Sequence, residues 1–282
     1  MIPLDFDLPN FDDPPVGEVV LSVQFPKIEI FQAAHFGQFW DVLGTAKYPA
    51  TETHPPLPPT VERFDSPAGS PKVSVQFREL PPIPRVWFVN TDGTHLIQVQ
   101  PDRFTCNWRK IRADDRYPRY DQVRAQFDTA WKSFVDFLLD QKLVSTSPEI
   151  IQCEVGYINH IAQSGVWSNY REASKVLTLL SGDSQLASCL TQEAVSLATS
   201  YAIRVHESEA EAPIGRLHLE FGPGMHTETG RQIFILHLLA RGLLKAAGTG
   251  DNLEFLDLGR KVIVNSFALI STERMHKVWG LK

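Results

Sequence analysis

The sequence predicts an α+β fold in which a curved antiparallel sheet carries helices on one of its faces. Short segments of alternating apolar and polar residues predict strands, and Asp92-Gly93 between two such segments predicts a tight hairpin. A stripe of large apolar residues with helical spacing follows them. Because successive strand residues point to opposite faces, the sheet should have an apolar face under the helices and a polar face opposite.

The first half of the predicted fold spans residues 16–145 and follows an acidic, extended N-terminal arm over residues 1–15. A short helix is expected within 31–43. Residues 47–71 hold seven prolines, so they are predicted to form loop or polyproline-like chain, because proline fits neither a helix interior nor a central strand. The predicted strands of this half cover 18–25, 72–77, 86–91, 94–100 and 103–109.

A long helix follows the strand over 103–109 and ends this half. Its apolar stripe consists of Val123, Phe127, Trp131, Phe134 and Leu138. Burying side chains of this size stabilises a fold by about 1.5–3 kcal/mol each. We therefore expect Phe127 and Trp131 to pack against the strand that carries Phe104 and Trp108.

The second half spans residues 146–282 and repeats the order of strand, helical segment, strands and long helix. A short helix is expected within 170–180, and the last helix should begin near residue 253, capped by Asp251 or Asn252. The predicted strands cover 150–161, 194–205, 215–221 and 232–240. The two halves share this order of elements but show no repeat in sequence. A single continuous domain is the alternative to two separate halves. The layout resembles helix-grip folds and the saddle of TATA-binding protein, and this likeness carries no function.

Composition restricts the class of protein. The chain has 282 residues, 43% of them hydrophobic, and a formal charge of −6, which disfavours a nonspecific nucleic-acid binder. Of its three cysteines, Cys106, Cys153 and Cys189, two lie on the apolar side of strand-like runs. These two, Cys106 and Cys153, are interpreted as small buried residues of a reducing compartment. The sequence shows neither an apolar run of membrane-spanning length nor a signal-peptide pattern. These features predict a cytoplasmic protein that does not enter a membrane.

The polar sheet face is where function is expected to lie. Strand alternation assigns to this face Gln24, Gln98, Gln100, Thr105, Asn107, Arg109, Gln152, Glu154, Arg204, His206, Arg216, His218 and Glu220. A solvated surface is the competing interpretation. Arginine, histidine and amide side chains favour an anionic or hydrogen-bonding ligand. The predicted ligand-binding residues are Asn107, Arg109, Arg204, His206, Arg216, His218 and Glu220.

No catalytic residue, metal site or cofactor is assigned from the sequence. His218 and Glu220 share a strand face, and His206 and His226 are candidates to join them, but no spacing fixes a third metal ligand. The chain lacks a phosphate-binding GxxxxGK loop, a GxSxG nucleophile elbow and an HExxH motif.

Arg109 has two competing roles. Its guanidinium can bind a carboxylate or the backbone carbonyls of the loop over residues 114–120, which would make it a structural clamp. Alternatively, it binds a ligand on the polar face. The clamp is favoured because the strand leads directly into that loop.

Several motifs resemble one known family. They are QPDRFTCNWRK followed by YPRY, PVGEVVLSVQF, FGQFWDVL with KYPATE, VGYINHI and MHKVWG. In this order they are similar to a sporadically distributed family of bacterial proteins of unknown function, over most of the chain. Members of that family tend to carry a histidine early in the last helix, where this chain has Gly259 and Arg260. The resemblance implies no activity, and the scattered distribution implies an accessory role, such as defence or a toxin–antitoxin module.

Three functions follow as hypotheses. The first is a non-enzymatic binding protein whose polar face takes a small anionic ligand or a protein partner. The second is an enzyme for a phosphorylated or nucleotide-like substrate, in which Arg109, Arg204 and Arg216 hold the anion and His218 or Glu220 transfers a proton. The third is a nucleic-acid-binding saddle, which the acidic charge disfavours. A homo-oligomer is left open.

Overall fold

A computed structural model of the chain describes residues 8–64, 82–180, 195–204, 212–227, 229–243 and 253–282. The strands in these ranges are β1 (Val16–Gln24), β2 (Ala50–His54), β3 (Arg85–Val89), β4 (His95–Gln100), β5 (Arg103–Arg109), β6 (Gln152–Ala162), β7 (Leu197–Ile203), β8 (Gly215–Met225) and β9 (Gln232–Gly242). The α-helices are α1 (Ala33–Leu43), α2 (Tyr120–Asp140), α3 (Glu254–Ile270) and α4 (Glu273–Trp279).

The strands form one open antiparallel sheet in the order β2-β3-β4-β5-β1-β6-β9-β8-β7. This confirms the predicted α+β class. The strand order also repeats between the halves. β1 and β6 are neighbours, and each has on its other side the last strand of its own half, β5 or β9. None of the helices in the described residues is both long and apolar enough to cross a membrane.

The chain divides into two compact units. The first unit comprises Glu18–Val155 and Gly242–Leu256, and the second comprises Met1–Gly17, Gly156–Arg241 and Asp257–Lys282. The division between them falls inside β1 and β6 rather than in a linker.

The core of the first unit lies between α2 and the apolar face of its strands. Phe127 and Trp131 are buried, and their ring centroids lie 5.9 Å and 5.5 Å from that of Phe104. Phe134 stacks on the same ring at 5.1 Å and meets Phe39 of α1 at 5.1 Å. The predicted packing of the α2 stripe on the strand that carries Phe104 is confirmed.

Two local expectations in this unit are wrong. Residues 50–54 were expected to be loop, yet they form the edge strand β2, which pairs with β3. Pro49 and Pro55 bracket this strand without entering it, and an edge position tolerates proline nearby. The hairpin between β3 and β4 is also longer than two residues: Asn90 N donates to His95 O, and Gly93 adopts a φ of 74° inside the loop.

The second unit has its own aromatic core. Phe234 of β9 lies 4.8 Å from Phe221 and 4.5 Å from Trp167 between ring centroids. The expected helix within 170–180 is instead two 3₁₀ turns, Tyr170–Lys175 and Thr178–Leu180.

The end of the chain packs onto the N-terminal arm. Phe11 is buried, and its ring centroid lies 5.4 Å from that of Phe267 in α3. Gly280 ends α4 with a φ of 65°, and a Cβ at this position would lie 3.0 Å from the Cβ of Asp12. Only glycine meets both conditions without strain.

Some predicted features lie outside the described residues. They are the strand over 72–77, Cys189, His206 and the helix-capping residues Asp251 and Asn252.

Candidate functional site

The predicted site residues of β7 and β8 occupy one face of the sheet in the second unit. Arg216, His218 and Glu220 alternate along β8 with the buried Leu217 and Leu219. The first two side chains are half-buried and Glu220 is exposed. Strand alternation therefore places these three residues as predicted, on the face opposite the core.

The neighbouring strand β7 borders this cluster with short side chains. Ala202 is paired with Arg216, Ser200 with His218, and Ala198 with Glu220. Arg204 follows the end of β7 and is exposed. On this face the side chains of β7 are therefore short beside the longer side chains of β8.

His237 of β9 belongs to the same cluster, and the sequence analysis missed it. Burial lowers the pKa of His237 below its ordinary value, the Glu220 carboxylate opposes this by raising it, and the charge of Arg241 and the neighbouring His218 lower it further. β8 and β9 are neighbours in the sheet, so these influences come from charged groups on the same strand and on the adjacent one. The signal in the sequence was the alternation of β9, which puts His237 and Arg241 opposite the buried Phe234, Leu236, Leu238 and Ala240.

The chemistry of this polar cluster suits an anion. Among the described residues that make up this cluster, Arg216 and Arg241 carry positive charge and Glu220 carries negative charge. The lowered pKa keeps the free His237 imidazole neutral at neutral pH, so that it can accept or donate a proton. Among the described residues, no group of three or more His, Cys, Asp and Glu side chains is arranged to hold a metal ion.

Asn107 and Arg109, the two predicted site residues of β5, lie in the first unit and have structural partners. Asn107 is 5% exposed; its Nδ2 donates to Glu18 at 2.5 Å and its Oδ1 accepts from Gln98 at 2.8 Å. Arg109 Nε donates to Gly93 O at 3.0 Å, and its guanidinium lies 5.9 Å from the ring centroid of Trp87. Arg109 therefore acts as a structural clamp, as favoured above. It binds the β3–β4 hairpin, however, and not the predicted loop over residues 114–120.

Burial raises the pKa of the Glu18 carboxyl, while the hydrogen bond from Asn107 and the charge of Arg109 lower it.

Both cysteines that the structure describes behave as expected. Cys106 and Cys153 are buried, and burial raises the pKa of each thiol, that of Cys153 to about 12. Neither thiol is suited to act as a nucleophile at neutral pH.

The expectation of an open polar face is wrong for the first unit. Seven of the eight residues predicted for this face in the first unit are at most 7% exposed, and Arg109 is half-buried. The seven are Gln24, Gln98, Gln100, Thr105, Asn107, Gln152 and Glu154. Residues 57–62 lie over part of this surface and bond to it. Strand alternation identified the side on which these residues lie, but it could not reveal that another segment covers them.

Glu154 is the centre of this buried surface. Its Oε1 accepts from Gln24 Nε2 at 2.7 Å and from Gln152 Nε2 at 3.1 Å, and its Oε2 accepts from Arg103 Nη1 at 3.2 Å. Arg103 is a buried residue of β5 that was not among the predicted site residues. We call Gln24, Gln100, Arg103, Gln152 and Glu154 the polar floor of the first unit.

Comparison of the chain with protein-family models and with curated proteins gives no match in either case.

Proposed function

We propose that the protein is a non-enzymatic binding protein that takes an anionic ligand, or an anionic group of a protein partner, on the polar face of β8 and β9. The observation that carries the proposal is the cluster of Arg216, His218, Glu220, His237 and Arg241 on one face of the second unit. An accessory role in defence or in a toxin–antitoxin module, in the cytoplasm, belongs to the same proposal through the family resemblance.

The charges support an anion rather than a cation. The whole chain carries a formal charge of −6, yet the described residues of this cluster are two arginines, two histidines and one glutamate. Arginine binds phosphate and carboxylate through two parallel hydrogen bonds, and such charge-assisted bonds are stronger than neutral ones. A bound anion would also favour protonation of His237, whose imidazole is kept neutral in the free protein by burial.

A thermal-shift screen of phosphate, pyrophosphate, nucleotides, phosphorylated metabolites and divalent metals tests this proposal. A ligand at a hundredfold excess over its Kd adds about 2.7 kcal/mol to the stability of the native state. We expect at least one anion to stabilise the wild type, with an effect that weakens with added salt. The stabilisation should be lost in Arg216→Ala.

Arg231→Ala is the matched control. Arg231 is an exposed arginine in the turn between β8 and β9, outside the polar cluster, so its removal should leave the shift unchanged. If the two variants respond equally, binding is nonspecific and the proposed site is wrong. If no anion stabilises the wild type, the proposal of an anionic small molecule fails.

One observation favours a second candidate, an enzyme for a phosphorylated or nucleotide-like substrate. A half-buried imidazole whose pKa is lowered by burial and raised by the charge of a carboxylate, as for His237 and Glu220, is a common arrangement for general acid–base catalysis. His237→Gln distinguishes the two functions. An enzyme would retain ligand binding and lose turnover in this variant, whereas a binding protein shows no turnover of the stabilising ligand in either form.

A further inference from the structure

Residues 57–62, Leu-Pro-Pro-Thr-Val-Glu, form a strap across the polar floor of the first unit. Two glutamines of the floor each bind one residue of the strap through both its backbone N–H and its backbone C=O group. Gln100 accepts from Leu57 N at 3.0 Å and donates to Leu57 O at 3.0 Å. Gln24 accepts from Thr60 N at 3.1 Å and donates to Thr60 O at 2.9 Å. The side-chain amides therefore pair with the strap as the backbone of a neighbouring strand would.

Two more floor residues extend this pattern. Gln152 accepts from Glu62 N at 2.7 Å and donates to Thr60 O. Arg103 donates from Nη2 to Pro58 O at 3.3 Å. The contacts thus run along the strap from Leu57 to Glu62.

All these bonds go to the backbone of the strap. Its side chains face outward for the most part: Pro58, Pro59, Thr60 and Val61 are exposed, Val61 to 46%. The floor therefore recognises a backbone and places few demands on side chains. No hydrophobic residue within 58–61 is buried to anchor the strap.

The spacing of the bonds matches a proline-containing extended chain. The strap donates its N–H groups at Leu57, Thr60 and Glu62, and the intervening Pro58 and Pro59 have none to donate. Leu57 and Thr60 are three residues apart, which places them on one side of a polyproline II helix with three residues per turn. Residues that precede proline are also biased towards this extended conformation.

The floor is organised by its own contacts and requires an occupant. Glu154 fixes Gln24, Gln152 and Arg103 by the three hydrogen bonds described above. The floor residues are at most 6% exposed, so a floor side chain that lost its bond to the strap without gaining water would leave a buried polar group without a hydrogen-bond partner. Nε of Arg103 is a further buried donor, and it has no acceptor in the part of the chain that the structure describes.

We propose that the polar floor is a binding groove for an extended, proline-containing peptide of another protein, and that the strap is its exchangeable intramolecular occupant. An incoming peptide of the same backbone pattern would restore each bond that the strap releases. Its side chains could add contacts that the strap does not make. The strap therefore blocks the groove, and a partner peptide must compete with the strap in order to bind. This proposal involves the first unit only and is independent of anion binding on β8 and β9.

The experiment uses a fluorescein-labelled decapeptide with the sequence of residues 55–64 and the full chain, followed by fluorescence anisotropy. Thr60→Pro in the protein removes the N–H that Gln24 accepts, so it weakens the strap and should tighten peptide binding about tenfold. The same substitution in the peptide should weaken binding about tenfold. Gln24→Met in the Thr60→Pro background should abolish it.

Val61→Ala is the matched control, because it changes an exposed strap side chain and leaves every strap backbone N–H in place. It should bind the peptide as the wild type does. If folded Thr60→Pro protein does not bind the peptide at millimolar concentration, the strap is a permanent part of the fold and the proposal is overturned.

Hydrogen exchange of the wild type provides a second test that needs no variant. The amides of Leu57, Thr60 and Glu62 should exchange at least about a hundredfold faster than those of central strand β5, because the strap opens without global unfolding. Exchange of the strap amides only at the rate of global unfolding would overturn the proposal, whether or not Thr60→Pro folds.

Discussion

The buried ion pair between Arg103 and Glu154 gives a sharp test of the polar floor. Both side chains are 8% exposed, and their charged atoms lie 3.2 Å apart. Removing one partner of a buried pair leaves an uncompensated charge and costs about 3–5 kcal/mol, whereas replacing both can be nearly neutral. Arg103→Met should therefore lose about 3–5 kcal/mol of unfolding free energy. The double variant Arg103→Met/Glu154→Gln should recover most of this loss.

Urea denaturation measures the effect. With a slope of about 3 kcal/mol/M, a loss of 4 kcal/mol lowers the midpoint by roughly 1.3 M. Arg124→Met is the matched control, since the Arg124–Asp128 pair on α2 is more exposed, at 18% and 47%, and such surface pairs contribute about 0–1 kcal/mol. Equal losses in Arg103→Met and Arg124→Met, or a double variant no more stable than Arg103→Met, would refute a dry, coupled pair.

Three further predictions follow from single side chains. Trp131→Ala should cost about 3–5 kcal/mol, measured by urea denaturation, because the indole is 5% exposed in the core under α2. Burial raises the pKa of Glu18 above its ordinary 4.5, so the folded chain holds its proton more tightly and stability falls as pH rises from 4.5 through the raised pKa. Glu18→Gln should remove this fall from a series of denaturation curves at different pH. In a Cys189→Ser variant, the buried Cys106 and Cys153 should react with Ellman's reagent only as fast as the protein unfolds.

Each of these predictions has a contrary outcome. An unchanged urea midpoint in Trp131→Ala would remove the argument that α2 is held to the sheet by its aromatic stripe. If stability still falls with rising pH in Glu18→Gln, the proton responsible for the fall is bound by a group other than Glu18. Rapid reaction of a thiol in the native Cys189→Ser protein would show that its strand is not buried in solution.

The elements whose signals are local were predictable from the sequence. The helical stripe of Phe127 and Trp131 and the alternation of Arg216, His218 and Glu220 each depend on residues within a few turns or pleats of one another. Such periodicities are direct consequences of 3.6 residues per helical turn and two per strand pleat. Both sets of residues lie in the structure on the sides that the periodicity indicates.

The covering of the polar floor was not predictable in this way. Gln24 bonds Thr60 across 36 residues of sequence, and Gln100 bonds Leu57 across 43. Alternation distinguishes the two faces of a strand but carries no information on what lies over either face. A proline-rich segment close in sequence to strands rich in glutamine was the available signal, because both side-chain amides and an extended backbone need hydrogen-bond partners.

His237 was missed for a different reason. His237 is the one polar residue between Phe234 and Ala240, and a single polar side chain in so apolar a strand does not define a polar face. Pairing β8 with β9 in one sheet would have brought His237 towards Glu220. Edge strand β2 was missed because five residues between two prolines gave no room for a periodic pattern.

The central claim, that an anion binds the polar cluster of β8 and β9, is tested most directly by NMR of the histidine imidazoles during titration with inorganic pyrophosphate. His218 and His237 should shift together along one saturable curve, the pKa of His237 should rise as the anion binds, and added salt should weaken both effects. His54 of the first unit is the internal reference for nonspecific changes. If the signals of His218 and His237 move no further than that of His54, the claim is contradicted.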